Sequence, residues 1–493
     1  MKYSALAMLA ATTIFFSTFA FSQQISKDPH AVFKTHMPFL QAQPVHTASS
    51  SVTMMPLQPT PATTFGGSSY IVGSTITASS TIPEAEEEIA ADPQDSSVLF
   101  AVISDFSIRG GFNTTKVAYS NPDDGPNHWE SYFLPFNSKG YLETSDGALW
   151  QANSDPVVVM GNGGYLYISS LYLNGNNRAN GLYVGAAQIN FSTNSFTGSI
   201  NPVKTNRSGT TTSLEDKPWI AVDNTAHATG GNVYASWTHF ISDSNGNLIN
   251  DYIVFSRSSN HGQSWSAPIR ISAASQDGAV QGSQVAVAPS GTIYVVYEVF
   301  YVNGLRRQFL TRSTNAGASF STPVAITPYF NEVDFKSDYR INSFPAIAIN
   351  PKSGYVYVVW SEQTAAGAQV EFIRSSSTGS LRFTAPQVLN DSSAGEHFFP
   401  AISVDPSTES INVAWFDTRH SPTNADYYRV YATRSIDNGA IWAPNADVSQ
   451  GYYSGKNSFI GDYMGIVAAS GEAHPVWTSG GFNHGDLKTA TLQ

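Results

Sequence analysis

Two series of polar side chains recur along this sequence at intervals of about 60 residues, and they are the groups most able to do chemistry. The first series comprises Asp155, Asp216 with Lys217, Gln281, Arg340, Glu396 with His397, and Asp462 with Tyr463, each just before an apolar run. The second comprises Asp105, His239, Glu298, Glu362, and Asp417 with Arg419 and His420, each just after the next such run. Carboxyl pairs serve as general acid and base or nucleophile in glycosidic bond cleavage, and guanidinium groups clamp carboxylates. On residue type and place, Arg340, Asp417, Arg419, Tyr463 and Asp462 are the catalytic candidates. Asp155, Asp216, Lys217, Glu298, Glu362, Glu396 and His397 are the ligand-binding candidates. No organic cofactor is called for, and the one ion with a plausible ligand set is Ca²⁺, held by Asp155, Asp216 and Asp462. His239, His397 and His420 show no HxH or HExxH spacing. Each group also has a structural alternative: Asp155 and Asp216 bonding neighbouring backbone N–H groups, Arg340 pairing with Asp338 or a neighbouring acid, Asp417 bridging Arg419 locally, and Tyr463 packing at the core edge.

The elements that must position these groups are strands. One phrase recurs seven times: an apolar strand, a turn with Asp, Asn, Pro or Gly, then a second alternating strand. Clear copies are FPAIAINPKSGYVYVVWSE from Phe344 and FPAISVDPSTESINVAWFD from Phe399; the others begin near Ile89, Asp155, Asp216, Gln284 and Gly461. A period of about 60 residues fits four strands of about six residues plus connections. The expected fold is all-β, a β-propeller of seven four-stranded blades, with six blades as the alternative. Few residues follow the last copy, so the strand near Tyr70 to Thr77 is expected to close that blade. Trp237, Trp360, Trp415 and Trp477 recur at one position and are expected to pack blade against blade.

Between the phrases lies a second element, Ser258-x-Asn260-x-Gly262-x-Ser264-Trp265, repeated at Ser313 to Phe320 and Ser435 to Trp442, with looser versions at Ser120 to Trp129 and Ser375 to Phe383. Arg257, Arg312, Arg374 and Arg434 precede the later four. These turns resemble the Asp box, or BNR repeat, and the chain after residue 66 resembles the sialidase-like β-propeller superfamily. That resemblance implies glycosidase chemistry with three arginines on a substrate carboxylate (here Arg109, Arg340 and Arg419). It also implies a Tyr nucleophile activated by a Glu (Tyr463 or Tyr339, with Glu298 or Glu362) and an Asp acid/base (Asp417). The superfamily's first arginine stands in an R-I-P or R-L-P motif of the first blade, whereas Arg340-Ile341-Asn342 lacks the proline and falls in the fifth copy.

Composition narrows the function classes. Only 13% of the 493 residues are charged, about half the usual share, so the recurrent acids and bases stand out. The formal net charge of -12 disfavours a nucleic-acid partner. With no cysteine, disulfides, thiol nucleophiles and Cys-ligated zinc are excluded. Residues 1–22 read as a signal peptide ending near Ser22, which predicts a secreted or periplasmic protein with no membrane span in the mature chain. Residues 23–66 read as a flexible Ser/Thr/Pro/Gln-rich leader, and 67–493 as one propeller domain. Two functions follow: a glycoside hydrolase on extracellular glycans, or a non-catalytic propeller binding a carbohydrate, glycoprotein or other protein. A scaffold without a small ligand is the third option.

Overall fold

The computed structural model describes residues 64–65, 70–79 and 84–493, apart from 106–113, 121–127, 135–140, 175–178, 191–194, 208–212, 244–246, 302, 457–458 and 481–484. The signal peptide, most of the leader, Arg109 and the turn around Asp123 and Asp124 lie outside the described residues.

Seven antiparallel sheets are arranged as the blades of a propeller, with strands A to D counted outward; five have four strands, and those of blades 4 and 6 carry a fifth short strand paired with strand C. The innermost A strands are Glu84–Ala91, Ala152–Gly161, Ser213–Val222, Val280–Val287, Ala346–Ile349, His397–Val404 and Gly465–Ala469. Strand B follows each across a tight turn: Leu99–Asp105, Tyr165–Asn174, Val233–Ser242, Ile293–Phe300, Val356–Thr364, Ile411–Asp417 and Glu472–Thr478. In blade 7 the outermost strand is Ile76–Ser79, which pairs with Leu487–Thr489. This N-terminal strand completes the last blade and so closes the ring of blades. A second link precedes it, since Thr64–Phe65 runs parallel to Ile441–Trp442 beside blade 6. Among the described residues, the only helical element is a 3-10 turn, Ala274–Gln276, and no helix is long and apolar enough to cross a membrane.

The core sits between blades. Each strand has two faces, and in a propeller both are covered by neighbouring sheets, so the B strands read as nearly continuous apolar runs. Val356, Val358 and Trp360 pack toward blade 4, while Tyr357 and Val359 pack toward blade 6. The recurrent tryptophans do the same. Trp237 lies in the interface of blades 2 and 3, Trp360 in that of 4 and 5, Trp415 in that of 5 and 6, and Trp477 in that of 6 and 7.

The S-x-[DN]-x-G turns adopt one geometry. In the first, the Asn260 amide oxygen accepts the Ser264 N–H at 3.0 Å and the Ser258 hydroxyl accepts the Gly262 N–H at 2.9 Å. His261 and Gly262 both take positive φ, 54° and 75°, which explains the fixed glycine. The turns at Ser313 and Ser435 repeat these bonds. The preceding arginines staple blades together. Arg257 donates to the Ala316 carbonyl of blade 4, Arg312 to Gly379 of blade 5, and Arg374 to Asn438 of blade 6. Arg434 lies over the Tyr70 ring at 5.0 Å. These turns join strands C and D and so lie at the blade ends opposite the A-strand starts.

Candidate active site

The A strands share an irregularity at their starts. In blades 1, 2, 3, 4 and 6 the A–B register slips by a β-bulge, between Ala85 and Glu88, Ser154 and Val157, Asp216 and Trp219, Gln281 and Gln284, and Phe398 and Ala401. The first bulge residue has positive φ in each: Glu86 63°, Asp155 52°, Lys217 49°, Gly282 69° and Phe399 51°. Phe344 and Tyr463 hold the matching positions in blades 5 and 7. A bulge re-aims a side chain, and non-glycine residues at positive φ cost about 1–3 kcal/mol each and gather at functional sites. Here the bulges turn charged and aromatic side chains toward the propeller axis.

What they assemble is a compact cluster of four carboxyl groups and two cations. Arg340 grips Asp462 bidentately, its Nε donating to Oδ1 at 2.6 Å and its Nη2 to Oδ2. Lys217 Nζ donates to Asp462 Oδ2 at 3.1 Å and lies 4.6 Å from the Tyr463 ring and 5.5 Å from the Phe344 ring. Asp155 accepts the Lys217 N–H at 3.3 Å, and Glu86 accepts the Asp155 N–H at 3.3 Å and the hydroxyls of Ser104 and Ser154. Asp216 accepts the Gln281 amide N–H at 3.4 Å. Of these groups, Lys217 and Asp462 line a cavity together with Trp219, Gln284, Phe344, Phe399, Tyr463 and Glu88.

Four carboxyl groups against two cations leave two negative charges uncompensated if all ionise. The consequence shows in their acidities. Burial, reinforced by Asp155 and Asp462, raises Glu86 well above the usual carboxylate range. Burial and Asp155 push Asp216 up to about 8, against the opposing pull of Lys217 and Arg340. Burial would also raise Asp462, but Arg340 and Lys217 hold it below its ordinary value. Acid and ionised carboxylate thus stand in one cluster near neutral pH, the separation that acid-assisted bond cleavage requires.

The sequence-derived candidates divide. Asp155, Asp216, Lys217, Arg340, Asp462 and Tyr463 come together at the axis. Asp417, Arg419 and His397 form a separate group on blade 6: His397 Nδ1 lies 2.8 Å from Asp417 Oδ2, and Arg419 binds Asp417, Asp391 and Asn445 and covers the Tyr431 ring. Arg340 and Arg419 therefore serve different carboxylates and do not form one clamp. Glu298 is buried against Gln308 and Arg306. Glu362 faces Glu371, burial raising Glu362 to about 7 and burial with Glu362 raising Glu371 further. Glu396 accepts the Ala368 N–H at 2.6 Å and pins the turn of blade 5. Tyr463 donates its hydroxyl to the Pro156 carbonyl at 3.1 Å, and burial and the nearby acids raise its pKa well above normal, the reverse of an activated nucleophile. Tyr339 is wholly buried with its hydroxyl on the Ala425 carbonyl. The Ca²⁺ expectation also meets an obstacle, because both Asp462 oxygens are taken by Arg340 and Lys217. Among the described residues, no group of three His, Cys, Asp or Glu side chains is arranged to hold a metal ion.

The sequence reading missed Glu86. Its signal was present: Glu84, Glu86, Glu87 and Glu88 fall within five positions of a charge-poor chain, and all four are buried. Glu84 binds Lys116 at 3.1 Å, Glu87 accepts the Thr478 N–H at 2.7 Å, and burial raises Glu88 to about 8.

Two measurable effects arise from this geometry. A methyl group at Gly282 would overlap the Phe344 ring while the backbone holds φ at 69°. Gly282→Ala is therefore expected to cost about 1–3 kcal/mol, read as a lower urea midpoint. On blade 6, burial alone would raise Asp417, but His397 and Arg419 hold it down, to about 2 from 3.8. A depressed carboxyl contributes stability that is present above its unfolded pKa and lost as pH falls through the folded value. The protein should thus lose about 2 kcal/mol between pH 4 and 2 through this residue. Acid titrations followed by circular dichroism should show that component missing in Asp417→Asn.

No family model and no curated protein matches the sequence. Among solved structures, the chain is similar to a polysaccharide lyase, an ulvan lyase, at 10% identity and a TM-score of 0.48, covering 86% of this chain and 94% of that one. It is also similar to a Hadza microbial sialidase at 12% identity and a TM-score of 0.45, covering 86% and 94%. An α-L-arabinanase of Penicillium chrysogenum aligns at 12% identity and a TM-score of 0.45, covering 77% and 99%.

Proposed function

We propose that this chain is an exported glycoside hydrolase whose active site is the axial cluster, with Asp216 as general acid. The observation that carries the reading is the coexistence, in one cluster with the strained bulge residues Glu86, Asp155 and Lys217, of a carboxyl raised to about 8 and a carboxylate held down by two cations. Asp216 is half-buried. Its proton passes to the leaving glycosidic oxygen as the bond to the anomeric carbon breaks. Asp462, kept ionised by Arg340 and Lys217, carries the negative charge that stabilises the oxocarbenium-like transition state, and water then adds to the anomeric carbon, giving its proton back to the Asp216 carboxylate. Tyr463, Phe344 and Phe399 offer aromatic surface for a sugar ring.

A second reading, a carbohydrate-binding propeller without catalysis, is favoured by one feature: Asp462 is already fully engaged by Arg340 and Lys217. A panel of fluorogenic glycosides and polysaccharides, assayed with the wild type, Asp216→Asn and Asp417→Asn, separates the two. Cleavage lost in Asp216→Asn and retained in Asp417→Asn supports the hydrolase. Cleavage indifferent to Asp216→Asn removes this site assignment, and glycan binding without cleavage supports the second reading.

A further inference from the structure

We infer that the axial cavity selects a glycan carrying an O-acyl (ester) substituent over the same glycan with its hydroxyl free, and that Glu88 donates a hydrogen bond to the ester carbonyl. The inference rests on reading the axial cavity as a glycan site and goes on to name the class of glycan.

Glu88 lines the cavity beside Lys217 and Asp462 but takes no part in their hydrogen bonds. Among the described residues its carboxyl makes one hydrogen bond, Oε1 accepting the Ile89 N–H at 3.0 Å. Oε2 is left to the cavity, on a residue only 8% exposed. Burial raises this carboxyl to about 8. With Oε1 held by a backbone donor, the proton sits on Oε2, and near neutral pH Glu88 offers the cavity a donor. The titratable groups around it are Glu87 on its own strand, Tyr463 of blade 7, and Lys217 and Asp462 on the cavity wall. Gly465, packed against Glu88 Oε1, brings no charge, and Asp155 of blade 2 is bonded through its N–H to Glu86.

On the other polar side chains of the wall the acceptors are already engaged. Both Asp462 oxygens accept from Arg340 or Lys217. Gln284 Oε1 accepts the Ile347 N–H at 3.0 Å, and Asn342 Oδ1 accepts the Phe344 N–H at 3.1 Å. What these groups still offer is donors: the Gln284 amide hydrogens, the remaining hydrogens of the Lys217 ammonium and the Glu88 proton. Around them stand the rings of Trp219, Phe344, Phe399 and Tyr463. A free sugar hydroxyl brings a hydrogen as well as lone pairs, and burying that hydrogen without an acceptor is costly. An ester brings acceptor oxygens, no donor, and an alkyl group for the aromatic walls. A carboxylate also brings acceptors alone, but it would add a negative charge beside Asp462, whose two cations are already spent on it.

The test is isothermal titration calorimetry of the full chain with O-acetylated xylotetraose, mannotetraose and tetragalacturonate, each against its saponified counterpart, with the same mixtures checked for glycosidic cleavage. Near pH 6 the best acetylated ligand should bind about tenfold tighter than its saponified form, the loss expected for one stranded donor. That affinity should fall about tenfold between pH 6 and 9, as Glu88 gives up its proton and the competent fraction shrinks. Glu88→Gln keeps an N–H donor at every pH and should bind equally at both. Glu88→Leu should bind at both as weakly as the wild type does at pH 9. If the leucine variant fails to fold, the pH profile of the glutamine variant decides. Equal or tighter binding of the saponified forms, no binding by any ligand, or a pH profile unchanged by Glu88→Gln overturns the inference. Glycan cleavage without an ester preference overturns it while leaving the hydrolase intact. An ester preference with no glycosidic cleavage supports it and removes the hydrolase.

Discussion

Replacing Asp216 by Asn should lower the turnover of a cleaved glycan by about 10²–10⁴-fold, the range that a positioned general acid contributes. The amide keeps the shape of the carboxyl group and its contact with Gln281 but has no proton to give. Stability should move the other way. A carboxyl raised above its unfolded value binds more protons in the folded state, so the native protein loses stability as pH climbs from the ordinary carboxylate range through about 8. Asp216→Asn removes that loss, and near pH 8 its urea midpoint should equal or exceed that of the wild type. Reduced turnover with undiminished stability is the pattern of a functional group held at a structural cost. A parallel fall in both would mark Asp216 as structural instead.

Breaking the Arg340–Asp462 pair should have the largest effect on the fold itself. Both side chains are 9% exposed, and Arg340→Met would leave Asp462 with Lys217 alone among Glu86, Asp155 and Asp216. Removing one partner of a buried ion pair costs about 3–5 kcal/mol, measurable as a fall in the urea midpoint. The double variant Arg340→Met/Asp462→Leu should recover part of that loss, because it removes the stranded charge along with its partner. No recovery in the double variant would show that Arg340 stabilises the channel by packing, for instance over the Phe459 ring at 5.2 Å, rather than by neutralising Asp462.

The seven blades were legible because one strand–turn–strand phrase repeats, and because the few residues after the last copy called for a closing strand from the N-terminal side. Half of the candidate site was legible for the same reason. Asp155, Asp216 and Lys217 lie in the first half of an A strand, Arg340, Asp462 and Tyr463 lie just before one, and A strands line the axis. Asp417, Arg419, Glu298 and Glu362 were misplaced because residues at the ends of B strands sit one strand farther out, about 4.8 Å, where alternate side chains face neighbouring blades. Asp417, Glu298 and Glu362 are consequently buried against His397, Gln308 and Glu371 instead of meeting Arg340. Glu86 was overlooked because its strand departs from the repeat. A run of four glutamates in five positions resembles a solvated segment, and only Lys116, the Thr478 N–H and the bulge after Ala85 make it a buried strand. The bulges themselves were not legible either. Only some carry the X-Pro pair seen at Asp155-Pro156, Lys217-Pro218 and Phe399-Pro400, and the bulge residues share a positive φ.

The most direct test of the central claim is a crystal structure of Asp216→Asn soaked with the oligosaccharide that binds best. The account expects a sugar in the axial channel, its glycosidic oxygen within hydrogen-bond reach of residue 216 and a ring against Tyr463 or Phe344. A sugar bound at the blade edges or on the face of the Ser258, Ser313 and Ser435 turns, with the axial cluster unaltered, would contradict it.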